Sequence, residues 1–130
     1  MRVEWTDELS IGIGIIDDQH KKLVERVNAF VDAVECRDAR KIEETVNYLI
    51  GYTIQHFGAE ELIMLRNGYD DFKKHREEHN WFINMVYDVN KELLDKGLSQ
   101  ERLGQVRDLL VSWIVNHIKV SDKRIGEVIR

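Results

Sequence analysis

The chain of 130 residues contains no proline and a single cysteine, Cys36. Without proline, nothing in the sequence forces a helix to kink or stop. A lone cysteine excludes an internal disulfide and fits a reducing compartment. Long apolar runs are missing too. The longest stretch, Leu109 to Val115, is interrupted by Ser112 and falls well short of the ~18 residues that a transmembrane helix needs. Excess positive charge is also absent: 19 Lys and Arg against 24 Asp and Glu give a formal net charge of −5. The basic pairs Lys21-Lys22, Lys73-Lys74 and Lys123-Arg124 have acidic neighbours and form no stripe. This argues against a nucleic-acid partner, which is gripped through its phosphates. The opening residues, Met1 to Glu8, are acidic and lack a signal-peptide core, so neither export nor membrane insertion is expected. The length suits one cytoplasmic domain with one hydrophobic core.

What is present is helical periodicity. Apolar residues recur three and four apart in four segments, with charged residues on the opposite faces. The spacing predicts helices over about 17–36, 39–66, 70–95 and 99–118, with a short further helix after 121. Asp38 suits the N-cap of the second helix, and Asn67-Gly68-Tyr69-Asp70 suits a turn with Gly68 left-handed and Asp70 capping. The links are short, which favours antiparallel neighbours and an all-α, up-down-up-down four-helix bundle. Residues 1–16, with Ile11-Gly12-Ile13-Gly14-Ile15-Ile16, suit an irregular N-terminal arm lying across the core.

All five histidines fall on the apolar stripes. His56 with Glu60, and His75 with His79, have i, i+4 spacing, so each pair projects from one helix face one turn apart. That is the spacing a metal ion needs to take two ligands from one helix. Up-down-up-down winding brings His20 and the His75–His79 pair, near helix starts, to the same end of the bundle as His56 and His117, near helix ends. Burying so many polar groups unpartnered would cost on the order of 1–3 kcal/mol each, a cost that a metal centre offsets. Asp122 follows His117 by five residues, about 140° away on an ideal helix. It joins the site only if the helix ends, tightens or bulges between Ile118 and Ser121; otherwise it is a surface aspartate, and spacing alone does not choose.

These motifs resemble the hemerythrin family, in particular its single-domain bacterial form, the bacteriohemerythrins. Ile11-Gly12 through Ile16-Asp17-Asp18-Gln19-His20 is similar to the family's first-ligand motif, and His56-Phe57-Gly58-Ala59-Glu60-Glu61 to its HFxxEE motif. His75-x3-His79 after Gly68-Tyr69, and Trp113-Ile114-Val115-Asn116-His117-Ile118 with Asp122, resemble its remaining motifs. Asp70 departs from the pattern, standing where many relatives have proline. The resemblance implies two iron ions with an oxo or hydroxo bridge. It implies that His75, His79 and His117 bind one iron, that His20 and His56 bind the other, and that Glu60 and Asp122 bridge both.

On that ligand set, two six-coordinate irons keep one open position, on the iron with two histidines, where O2 would bind. By the same resemblance Leu23, Phe57, Trp113, Ile114 and Ile118 wall the O2 pocket. The implied function is reversible O2 binding for transport, storage or delivery, by a monomer that is not an enzyme. Sensing of O2, redox state or nitric oxide through the same site is the alternative, and small anions are further occupants of the open position. A rival from another class is a zinc hydrolase, because His75-Arg76-Glu77-Glu78-His79 fits the H-x-x-E-H pattern with Glu78 as general base. That reading leaves His20, His56 and His117 without a role.

Overall fold

The computed structural model describes residues 2–129. Each long helix forms because one stripe of its side chains can be buried. Helix α1 (Gly14–Cys36) buries Ile16, His20, Leu23, Val27, Phe30 and Val34 among others. Helix α2 (Ala39–Arg66) buries Ile42, Val46, Leu49, Thr53, His56, Phe57, Glu60 and Met64. Helix α3 (Phe72–Lys96) turns in His75, His79, Phe82, Val86 and Val89, and α4 (Gln100–Asn116) turns in Leu103, Val106, Leu110 and Ile114. α1 packs on α2 and α4, and α2 on α3. Phe82 of α3 stacks against Trp113 of α4 and closes the ring of an up-down-up-down four-helix bundle.

The corners show local chemistry. Asp38 accepts from the Lys41 amide at 3.2 Å and Ser99 from the Arg102 amide at 3.1 Å, caps typically worth about 1 kcal/mol each. Gly68, at φ +60°, lets the Tyr69 amide return to the Met64 carbonyl at 2.9 Å, the closing bond of a Schellman turn. Asp70, expected to cap α3, does not do so, and α3 starts after Asp71. Arg124 takes both aspartates instead, at 2.6 Å from Asp71 and 3.3 Å from Asp70.

The arm crosses the bundle as expected, but it is shorter. Asn28 of α1 donates to the Val3 carbonyl at 2.9 Å and accepts from the Val3 amide at 2.8 Å. A single 3-10 turn, Asp7–Leu9, follows. Helix α1 then begins at Gly14, so Ile15 and Ile16 are helical rather than part of the arm. The reason is Asp17, whose carboxylate accepts from the Ser10 hydroxyl at 2.6 Å and the Ile11 amide at 2.8 Å. An acid in the first turn also suits the helix dipole.

The fourth helix does not stop at 118. From His117 to Asp122 the chain widens into a π-helical stretch, which runs directly into α5 (Lys123–Ile129). Helix α5 packs Ile125 on Met64 and Tyr69, closing that end of the bundle. Gly126 permits this closure: a Cβ there would sit 1.8 Å from the Ile11 carbonyl oxygen of the arm.

Candidate metal centre

The π-helical stretch answers the spacing question. Its i→i+5 pairing adds a residue to the turn, so Asp122 swings back beneath His117 and is fully buried. One side chain of α1 (His20), two of α2 (His56, Glu60), two of α3 (His75, His79) and the π-helix pair (His117, Asp122) then meet inside the bundle. They form two overlapping groups, each with ligand atoms within 4.8 Å of one another. One comprises His75, His79, His117, Glu60 and Asp122; the other His20, His56, Glu60 and Asp122.

The two carboxylates divide their oxygens between the groups. Glu60 Oε2 lies 3.0 Å from His20 Nε2 and 2.8 Å from His56 Nε2, while Oε1 lies 3.3 Å from His75 Nε2 and 3.1 Å from His79 Nε2. Asp122 Oδ2 lies 2.9 Å from His20 Nε2, while Oδ1 lies 3.0 Å from His75 Nε2 and 3.2 Å from His117 Nε2. Several of these close approaches are not hydrogen bonds: among the described residues, His56 Nε2 and both Asp122 oxygens have no hydrogen-bond partner despite their burial. Five imidazole nitrogens and two carboxylates form an N/O donor set that suits first-row metals such as iron.

Outward-facing nitrogens are held by a second layer that sequence reasoning missed. His79 Nδ1 donates to Glu61 at 3.0 Å, His117 Nδ1 to Glu78 at 3.3 Å, and His56 Nδ1 to the Gln19 side-chain oxygen at 2.8 Å. Ser121 donates to the same Glu78 oxygen at 2.6 Å, and the Tyr52 hydroxyl to the Gln19 carbonyl at 2.9 Å. These bonds place the proton on Nδ1 and leave Nε2 to face inward. The available signal was adjacency: Gln19 and Glu61 each sit beside a site residue in the chain, and Glu78 precedes His79. Glu78, the would-be general base of a hydrolase, is thus engaged by His117 and Ser121.

Charge is balanced internally when no cation is bound. Burial opposes protonation of the imidazoles, yet the Asp122 and Glu60 carboxylates prevail, raising His20 and His75 to about 9 and His117 to about 10. Burial likewise opposes ionisation of Glu60 and Asp122, but the surrounding histidines hold both well below the ordinary carboxylate range. The bond from His117 holds Glu78 down at about 2.

The residues expected to wall the pocket belong to the main apolar core of the bundle. Leu23, Phe57, Ile114 and Ile118 are fully buried and Trp113 is half-buried. Phe57 stacks on His79 with ring centroids 3.8 Å apart and planes 2° from parallel, and Trp113 on His117 at 4.4 Å and 9°. These two rings therefore cover the three-histidine group. Beside that group, Tyr69, His75, Glu78, Ser121 and Arg124 line a small polar cleft of about 70 Å³.

The family model for the hemerythrin HHE cation binding domain matches residues 11–129. The chain belongs to the hemerythrin family. A bacteriohemerythrin of Pseudomonas paraeruginosa is 34% identical over 127 residues, covering 97% of this chain and 80% of the relative. One from Methylococcus capsulatus is 34% identical over 125 residues, covering 94% of this chain and 92% of the relative. The crystal structure of a wild-type hemerythrin superposes with a TM-score of 0.84 at 32% identity, covering 98% of this chain and 97% of that one. Hemerythrins bind O2, and the buried His/Glu/Asp cluster is able to hold a metal cofactor, iron by family. Among the described residues, no helix is long and apolar enough to cross a membrane.

Proposed function

We propose that this chain binds O2 reversibly at a non-haem di-iron centre and serves as an oxygen carrier or store in the cytoplasm. The observation that carries this reading is the division of Glu60 and Asp122, each with one oxygen toward His20 and the other toward the three-histidine group. A carboxylate so placed would offer one oxygen to each of two cations. His75, His79 and His117 would hold one iron, His20 and His56 the other, and Glu60 and Asp122 both, with an oxo or hydroxo bridge between them. Iron bound there supplies the electrons that make O2 attachment reversible.

The chain's own residues do the rest. Glu61, Glu78 and Gln19 lock the imidazole rings through Nδ1, so the donors are in place before a cation arrives. Metal-site partners of this kind typically set affinity by about 10–100-fold. The apolar side chains of Leu23, Phe57, Trp113, Ile114 and Ile118 exclude water, and with it the protons that would convert a bound gas into reactive products. The ligands this reading admits are small: O2, nitric oxide or small anions.

The test is to load the chain with ferrous iron without oxygen and record its visible spectrum through admission and removal of O2. A coloured change that reverses on removal supports the carrier. Rapid, irreversible conversion to a ferric form overturns it and favours redox sensing through the same residues.

A further inference from the structure

The rings behind the metal centre continue to the surface. Trp113 stacks on His117 with centroids 4.4 Å apart, and on its other sides meets Phe82 at 4.4 Å and Trp81 at 6.3 Å. The planes of Trp113 and Trp81 lie 21° from parallel. Trp81 is 50% exposed, an unusual position for so large an apolar ring. It stands on an open groove between α3 and α4, beside Met85, Arg102 and Leu109. At the other end, His117 Nε2 lies 3.2 Å from Asp122. A run of near-parallel π systems thus leads from solvent to a donor atom of the cluster.

We propose that Trp81 and Trp113 form the electron route between the protein surface and the metal centre, through which an external one-electron carrier returns an oxidised centre to its ferrous state. The proposal rests on the di-iron reading. Each outer-sphere donor touching Trp81 loses one electron and the centre gains one, so two such transfers in turn return both irons to the ferrous state. No bond forms or breaks, and the indoles are not themselves oxidised, because the electron tunnels and the stacked rings only supply electronic coupling. The need for a route follows from burial. His20, His79, Glu60 and Asp122 have no exposed surface, so a bulky donor cannot touch the centre, and a carrier left ferric is inactive until it is reduced.

Two other rings approach the cluster less well. Tyr52 lies parallel to His56 but 6.3 Å away, and Tyr69 meets His75 edge-on, at 6.5 Å and 80°. Neither continues to a further ring.

The test uses the iron-loaded protein, oxidised and then mixed without oxygen with the methyl viologen radical cation, following the second-order rate of reduction. Trp81→Leu is expected to slow reduction several-fold at unchanged iron content, with Trp81→Phe between it and the parent. Tyr87→Leu, an exposed ring on the same helix outside the stack, should leave the rate unchanged. In the metal-free protein, the parent should show a coupled-indole signal in the near-ultraviolet circular dichroism that Trp81→Leu removes. Equal rates for the parent and Trp81→Leu, both fully loaded, would overturn the route and leave the di-iron reading standing. Absence of the coupled signal would overturn the stack itself. A chain that takes up no iron would remove both proposals at once.

Discussion

The two halves of the metal cluster share their carboxylates but differ in what surrounds them. The three-histidine half leans on acidic side chains, Glu61 behind His79 and Glu78 behind His117, and has a polar cleft beside His75. The two-histidine half has the neutral Gln19 behind His56, and among the described residues His20 Nδ1 has no hydrogen-bond partner. Carboxylate-backed imidazoles are the more basic ligands, so the three-histidine half is built to grip. On the proposed reading the other half, with fewer donors, is where a ligand would bind.

The largest effect should come from what the halves share. Glu60→Ala removes an oxygen from both groups, and metal analysis after desalting should find almost no iron. His20→Ala breaks the comparison on one side only, and should leave one iron held by the other half. If both variants lost the same amount of metal, the two halves would not be separate sites. Next in size is Glu78→Gln, expected to weaken metal affinity by roughly 10–100-fold in competition with a chelator. Gln19→Ala should cost less in the same assay, and the reverse order would refute the asymmetry. Gly126→Ala places a methyl 1.8 Å from the Ile11 carbonyl oxygen, and should destabilise by about 1–3 kcal/mol in urea unfolding.

A further effect is a pH dependence of the metal-free chain. His20 and His75 are raised to about 9 and His117 to about 10, from an ordinary value of 6.5. A raised histidine contributes stability that is fully present below 6.5 and is lost as pH rises through the folded value. The metal-free melting temperature should therefore fall between about pH 6.5 and 10, whereas an imidazole ligated through Nε2 has no proton on that nitrogen to lose. The gap between loaded and metal-free forms should widen with pH. A constant gap would mean that the carboxylates do not hold protonated histidines in the metal-free state.

Much of this was legible because helices convert spacing into direction. The i, i+4 pairs and the matched depths of five histidines already placed the donors at one end of a bundle. Asp122 was not legible from periodicity, because an ideal helix points it away and only the π-helical widening turns it inward. The true start of α1 was hidden for a similar reason. It depends on the Asp17 side chain catching two groups of the arm, a tertiary event with no period. Asp70 read as a cap because nothing local shows that Arg124, 54 residues later, would claim it. Gln19 stood only within a motif beside His20 and Asn28 gave no signal, because their hydrogen bonds exist only once the second helix and the arm lie against them.

The central claim is that two cations share Glu60 and Asp122, and the most direct measurement is an anaerobic titration of the metal-free chain with ferrous iron. The account predicts an end point of two irons per chain. It also predicts magnetic coupling between them once they are oxidised, as a shared bridge requires. Saturation at one iron, or two irons that remain magnetically independent, would contradict it.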